Sequence, residues 1–344
     1  MILTELVFAG TTALTEYLSA HVITCLIPAF FIAGAIAVFL KKESVLKYLG
    51  PNAKKHVSYS VAAVSGAILA VCSCTILPLF AGIKERGAGL GPAITFLFSG
   101  PAINLLAIIY TANVLGFELG VARAVAAISL SIVIGLIMHF LFQRKTKNKG
   151  DVFSAPVGHE KSKTTVLSFF ALLVGILIVN GLQIGFTLKL MGFSMLLIFL
   201  LILLKLKFTK QDNLNWLKET WSITKLIVPY LLIGVFIAGM IQVLLPQEIV
   251  QAYLGGNSLT SNFVASIFGA LMYFATLTEV PIIGELMKLG MGKGPALALL
   301  LAGPSLSLPN MLVIRKILGN KQTLVYIGLV IVFSTTAGFI FGLM

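Results

Sequence analysis

The sequence predicts an all-helical, polytopic membrane protein, and three observations predict it. Of 344 residues, 58% are hydrophobic and 11% charged, with a mean hydropathy of +1.02; a soluble domain carries roughly 25% charged residues. Apolar runs of about 18 residues or more, the length that crosses roughly 30 Å of hydrocarbon, recur about ten times. Glycines and prolines repeat in one register at a spacing of 203 residues, the mark of an internal duplication. A soluble globular fold is excluded.

The elements follow in order. Residues 1–20 contain Glu5 and Glu16 and lack the basic start and small-residue cleavage site of a secretory signal, so they read as an interfacial helix. Residues 21–142 hold four apolar runs, centred on 21–40, 58–80, 91–113 and 118–142, and form a first four-span unit. A basic polar loop, 143–164, follows. Two further runs make a linking pair over 165–206, a second polar loop covers 207–221, and 222–344 holds four more runs, the second unit.

The duplication rests on specific pairs. At an offset of 203, Pro78 meets Pro281, Gly87 meets Gly290, Pro92 meets Pro295, Gly100 meets Gly303 and Pro101 meets Pro304. Upstream the offset becomes 205, where Tyr48, Leu49 and Gly50 meet Tyr253, Leu254 and Gly255. Paired Gly and Pro interruptions are the pattern of transporters whose broken helices meet near the bilayer midplane. Proline lacks an N–H and clashes with the carbonyl four residues back, so helix breaks are expected at Pro78, Gly100, Pro101, Pro281, Gly303 and Pro304. Six spans between corresponding helices would make the units parallel; an odd number would invert them. On the simple span count, basic residues show only a weak excess beside the two polar loops, and Lys41, Lys42, Lys47, Lys54 and Lys55 fall on the other side.

The formal charge of +13 marks loops beside anionic lipid, not nucleic-acid binding, because no aromatic residues interleave with the basic ones. Three cysteines, Cys25, Cys72 and Cys74, lie in apolar stretches and read as free thiols. Cys72 and Cys74 sit two apart, a spacing that on unwound backbone turns both sulfurs to one side and suits a soft, thiophilic centre. No second ligand pair or nearby histidine accompanies them, so neither a zinc site nor any cofactor is expected.

Glu279 occupies the register of Ile76, within Thr276-Leu-Thr-Glu-Val-Pro281. An ionisable group at that depth is expensive and by default functional, and a carboxylate there can carry a proton. Asn104 and Ser307, each three residues after a proline, offer hydrogen bonds beside the later breaks; Thr75 and Ser305 add neighbouring hydroxyls. His139 and Lys225, near span ends, read as facing head groups. No nucleotide loop, dinucleotide fingerprint or hydrolase motif occurs in a usable context, so no enzyme activity is expected.

The stretch Cys72-Ser-Cys-Thr-Ile-Leu-Pro78, with glycine-rich 87–92 and Ser99-Gly-Pro-Ala-Ile-Asn104, resembles the predicted-permease family that includes ArsP-type organoarsenical efflux permeases. The resemblance covers 20–142 and 222 to the end. It implies a multi-pass permease of a prokaryotic inner membrane with trivalent organoarsenicals as substrates, and it carries onto Cys72, Cys74, Pro78, Pro101 and Asn104. The second unit departs from it, with Ala275 and Leu277 in place of the cysteines. The expected activity is proton-coupled export of a small thiophilic solute, with Cys72 and Cys74 on the substrate and Glu279 on the proton; small solute and membrane lipid are the expected partners. A channel-like conduit or importer of a sulfur-containing molecule is the alternative, and a membrane thiol oxidoreductase a third.

Overall fold

The computed structural model describes residues 2–19, 26–39, 42–50, 53–69, 73–103, 105–142, 162–181, 186–244, 253–272 and 279–344. Among them the chain is helical, with one isolated bridge between Gly255 and Met291. Together with the apolar composition this makes a multi-pass helical membrane protein.

Four of the described helices are long and apolar enough to cross a membrane: Phe117–Phe142, Thr187–Lys207, Lys210–Met240 and Asn320–Gly342. Two bent pairs raise the count among the described residues to six, fewer than the roughly ten apolar runs of the sequence. Two of the runs left out of that count are 58–80 and 262–284. Each contains two helices too short to cross: Lys55–Leu69 with Ser73–Glu85, and Leu259–Leu271 with Glu279–Lys288.

Each of these pairs is a hairpin that enters and leaves by the same end. Gly89 N–H donates to Leu49 O at 2.7 Å, and Gly292 N–H donates to Leu254 O at 3.2 Å, so the chain after each return arm lies beside the chain before each entry arm. Glycine makes both returns possible. Gly87 (φ 89°) and Gly290 (φ 105°) follow the return arms. Ala88 N–H reaches Ile83 O and Gly87 N–H reaches Lys84 O, and Met291 and Gly290 repeat this on Leu286 and Met287. These are helix ends closed by a left-handed residue, where a side chain would clash with the backbone.

The two hairpins open at opposite ends of the bundle. Lys55 and Tyr59, at the base of the first, meet Phe140 and His139 at the end of Phe117–Phe142. At the base of the second, Lys293 forms an ion pair with Glu118, at the start of that same helix, at 2.8 Å. Its 26 residues span about 39 Å at 1.5 Å per residue. Asn257, also at the second base, donates to Phe339 O near the end of the last helix.

After each hairpin comes a bent pair. Leu90–Ala102 continues into a second helix with a 42° bend, and Lys293–Leu306 continues into Leu308–Leu318 with a 47° bend. The predicted break positions shift accordingly. Pro78 lies inside the helix Ser73–Glu85, which loses only the bond from residue 78 to the Cys74 carbonyl. Pro281 is the third residue of Glu279–Lys288, where the missing N–H has no helical partner anyway. Gly100, Pro101, Gly303 and Pro304 are likewise still helical, and the interruptions fall after Ala102 and at Ser307. Ser307 carries φ 27°, the one non-glycine positive φ among the described residues.

The stretch 207–221, read as a loop, is helix from Lys210 onward, continuous to Leu244. Thr209 and Asp212 cap it reciprocally, Thr209 N–H to Asp212 Oδ2 at 3.0 Å and Asp212 N–H to Thr209 Oγ1 at 3.2 Å. Its polar residues Asp212, Asn215 and Glu219 are buried while Leu214, Leu217 and Trp221 are exposed, so a polar composition conceals an inward polar face. The N-terminal helix Ile2–Tyr17 lies against the second half of this long helix, Gly10 facing Phe236 and Gly239 facing Ala13. Residues 143–161 lie outside the described residues.

Candidate functional site

Glu279 is the first residue of the second hairpin's return arm, 0% exposed. A carboxylate at a helix N-terminus faces the positive end of the helix dipole, but burial in a membrane protein demands more than that. Arg123, also 0% exposed, supplies it: Nη2 donates to Glu279 Oε1 at 2.6 Å. The guanidinium's other donors tie it to the first bent pair. Nη1 donates to Thr111 Oγ1 at 2.9 Å, Thr111 in turn donates to Ala107 O at 2.7 Å, and Nε donates to Ala102 O at 3.5 Å. One planar fork thus joins the helix Phe117–Phe142, both sides of the first bend and the second hairpin.

Glu279 uses one oxygen. Oε2 is buried and meets no hydrogen-bond partner among the described residues. It faces Gly303: a Cβ added there would have Oε2 as its nearest neighbour at 3.7 Å. The hydroxyls of Ser305 and Ser307, beside the second bend, are also buried and meet no hydrogen-bond partner among the described residues. Buried groups of this kind are uncommon and call for a ligand, a proton or water.

The site has a counterpart 203 residues away. Ile76 lies against Gly100 as Glu279 lies against Gly303, Ile76 Cδ1 being 2.6 Å from where a Cβ on Gly100 would sit. Arg123 donates to Ala102 O, and in the same register Tyr326, fully buried, donates its hydroxyl to Ser305 O at 3.3 Å. Asn310 adds a long bond to Pro304 O at 3.5 Å. At each bend a carbonyl thus accepts from a buried side chain, charged in one half and neutral in the other.

The structure brings Glu279 to Gly303 and places Ser305, Ser307 and Pro304 on the adjoining bend. Thr75 is buried, third in the first hairpin's return arm. Cys72 and Asn104 lie outside the described residues, as do Cys25, Ala275 and Leu277, and Cys74 is described only as helical backbone. Sequence reasoning missed Arg123, Thr111 and Tyr326. The available signal was that Arg123 is the sole lysine or arginine in the run 117–142; six residues from the helix start, it passes for a cation that reaches out to water. Among the described residues no three His, Cys, Asp or Glu gather as a metal site.

Chemically, the paired state is neutral. Putting a proton on Glu279 would remove the countercharge of a buried guanidinium, so proton binding and separation of these two groups are linked.

A family model described as "Predicted permease", ArsP_1, matches residues 7–343. The chain is 49% identical over 341 residues to the "UPF0718 protein MJ0584" of Methanocaldococcus jannaschii, covering 95% of this chain and 93% of that one. It is 24% identical over 246 residues to the "UPF0718 protein YraQ" of Escherichia coli, covering 72% of this chain and 56% of the relative. It is 22% identical over 302 residues to a Streptococcus mutans protein named "Putative two-component membrane permease complex subunit", covering 86% and 83%. No solved structure matches the chain.

Proposed function

We propose, because this chain belongs to the predicted-permease family, that it exports a small thiophilic solute, a trivalent organoarsenical, across a prokaryotic inner membrane by proton-coupled alternating access. The observation that carries the proposal is the Arg123–Glu279 pair, fully buried and joining the second hairpin to the first bent pair. Supporting it are the equivalences at 203 residues, which read as two units built on one plan, and the hairpins that open at opposite ends, which read as an inverted pair with a central site.

Charge orients the molecule. Every described lysine and arginine lies toward the end where the first hairpin opens, save Arg123 itself and Lys189, Lys288 and Lys293. Lys42, Lys47, Lys54 and Lys55, misplaced by a simple span count, belong to this majority once 55–85 is a hairpin. That end is cytoplasmic by the positive-inside rule.

The division of labour follows. Solute enters from the cytoplasm along the first hairpin to Cys72, Cys74 and Thr75, with Asn104, Ser305 and Ser307 at the bends. The proton arrives from outside along the second hairpin to Glu279. Sulfur is the matching ligand for a soft centre. The test is uptake of a panel of soft and hard solutes into everted vesicles, with and without an imposed proton gradient. Gradient-dependent accumulation of trivalent organoarsenicals, lost in Cys72→Ser with Cys74→Ser, is the expected result. Gradient-independent equilibration of many solutes would favour a conduit.

A further inference from the structure

On the face assigned to the cytoplasm, a cavity of about 540 Å³ lies between Glu85, Ser222, Lys225, Tyr230 and Lys316, with Leu226, Pro229 and Ile233 as its apolar wall. It sits on a seam of three parts. Glu85 ends the first hairpin's return arm, Lys316 lies near the end of the second bent pair, and the rest belongs to the middle of Lys210–Leu244.

Among the described residues no carboxylate lies within ion-pair distance of Lys225 or Lys316. Each instead lies near an aromatic ring, Lys225 Nζ 5.4 Å from the Trp221 centroid and Lys316 Nζ 5.4 Å from that of Tyr230. Pro229, inside its helix, has no N–H to return to the Lys225 carbonyl, which adds a free acceptor. Ile233 is 53% exposed, so the apolar wall runs outward, while Glu85 and Lys316 lie at or near helix ends and Lys225 at the middle of its long helix.

We propose that this cavity binds the phosphate headgroup of an anionic lipid of the cytoplasmic leaflet. The two ammonium groups face the phosphate, the Ser222 hydroxyl and Glu85 carboxylate take the polar remainder of the headgroup, and Leu226, Pro229 and Ile233 carry the start of the acyl chain. Anionic lipid concentrates on this side of the membrane, and a lysine near its surface is worth about 1 kcal/mol. A lipid bound here touches both units at once, so its occupancy holds the seam between them. The proposal rests on the cytoplasmic assignment of this face but not on the identity of the transported solute.

The test uses the full-length protein in nanodiscs of zwitterionic lipid, titrated with short-chain phosphatidylglycerol and followed by thermal unfolding. The wild type should gain stability saturably. Lys225→Gln or Lys316→Gln should raise the half-saturating concentration about five-fold each and the double variant about thirty-fold. Lys189→Gln with Lys288→Gln, on the other face, should leave it unchanged. Unfolding without added lipid shows that each variant is folded, and any variant unstable at that stage is replaced by its arginine counterpart, which should restore binding. A parallel titration with glycerol 1-phosphate separates the sources: no effect is expected. Saturation by the soluble phosphate alone would overturn the lipid assignment, and equal responses of wild type and double variant would overturn the site. Cysteine labelling that put Lys54 outside would instead defeat the orientation on which the leaflet depends.

Discussion

Arg123 and Glu279 each depend on the other to stay buried. Arg123→Met leaves an unpaired carboxylate at a position with no solvent exposure, and a loss of about 3–5 kcal/mol is expected, readable as a lowered unfolding temperature in detergent. Adding Glu279→Met should recover most of that loss while leaving uphill transport abolished, which separates structural from functional dependence. Gly303→Ala probes the free oxygen. Its Cβ would stand 3.7 Å from Glu279 Oε2, an ordinary contact, so stability should stay within about 0.5 kcal/mol while transport falls because a methyl group covers that oxygen. At this scale the sequence showed Glu279 plainly, since a lone carboxylate inside an apolar run is conspicuous. Arg123 was hidden because its partner lies 156 residues away, and nothing local separates a paired arginine from one that reaches water. Cys72 and Cys74 drew attention by soft-ligand chemistry alone.

At the scale of elements, proline was legible as a marker and misread as a position. Pro101 and Pro304 sit within the last few residues of their helices, and the chain bends just beyond them. Hydropathy misled for a related reason: a hairpin buried in protein is as apolar as a span, so 58–80 and 262–284 passed for membrane crossings. The glycines now have a physical account. Gly290 has open space around a would-be Cβ but φ 105°, so Gly290→Ala should cost about 1–2 kcal/mol through the backbone alone, and Gly290→Asn should cost less. Gly234 is the opposite case: its Cβ would come within 2.4 Å of Pro309 Cα. Gly234→Ala must push the long helix off the second bent pair, with about 1–3 kcal/mol lost. Unfolding midpoints of the three variants, measured side by side, check both accounts.

For the whole molecule, the glycine and proline matches at a spacing of 203 residues were legible in the sequence, while the relative direction of the two halves was not, because it depends on how many runs truly cross. The hairpins change that count and gather the basic residues on one face. A cysteine at Lys54 in a chain freed of its three native cysteines should therefore react with an impermeant maleimide only in everted vesicles, and one at Lys288 only in right-side-out vesicles.

The central claim, that a proton held at the tip of the second hairpin drives a solute held at the first, is tested most directly by Glu279→Gln. The amide keeps size and hydrogen bonding but cannot carry a proton. In everted vesicles energised by a proton gradient alone, the variant should bind organoarsenical and exchange it at equilibrium, yet show no accumulation against the solute's gradient. Accumulation at the wild-type level would contradict the account.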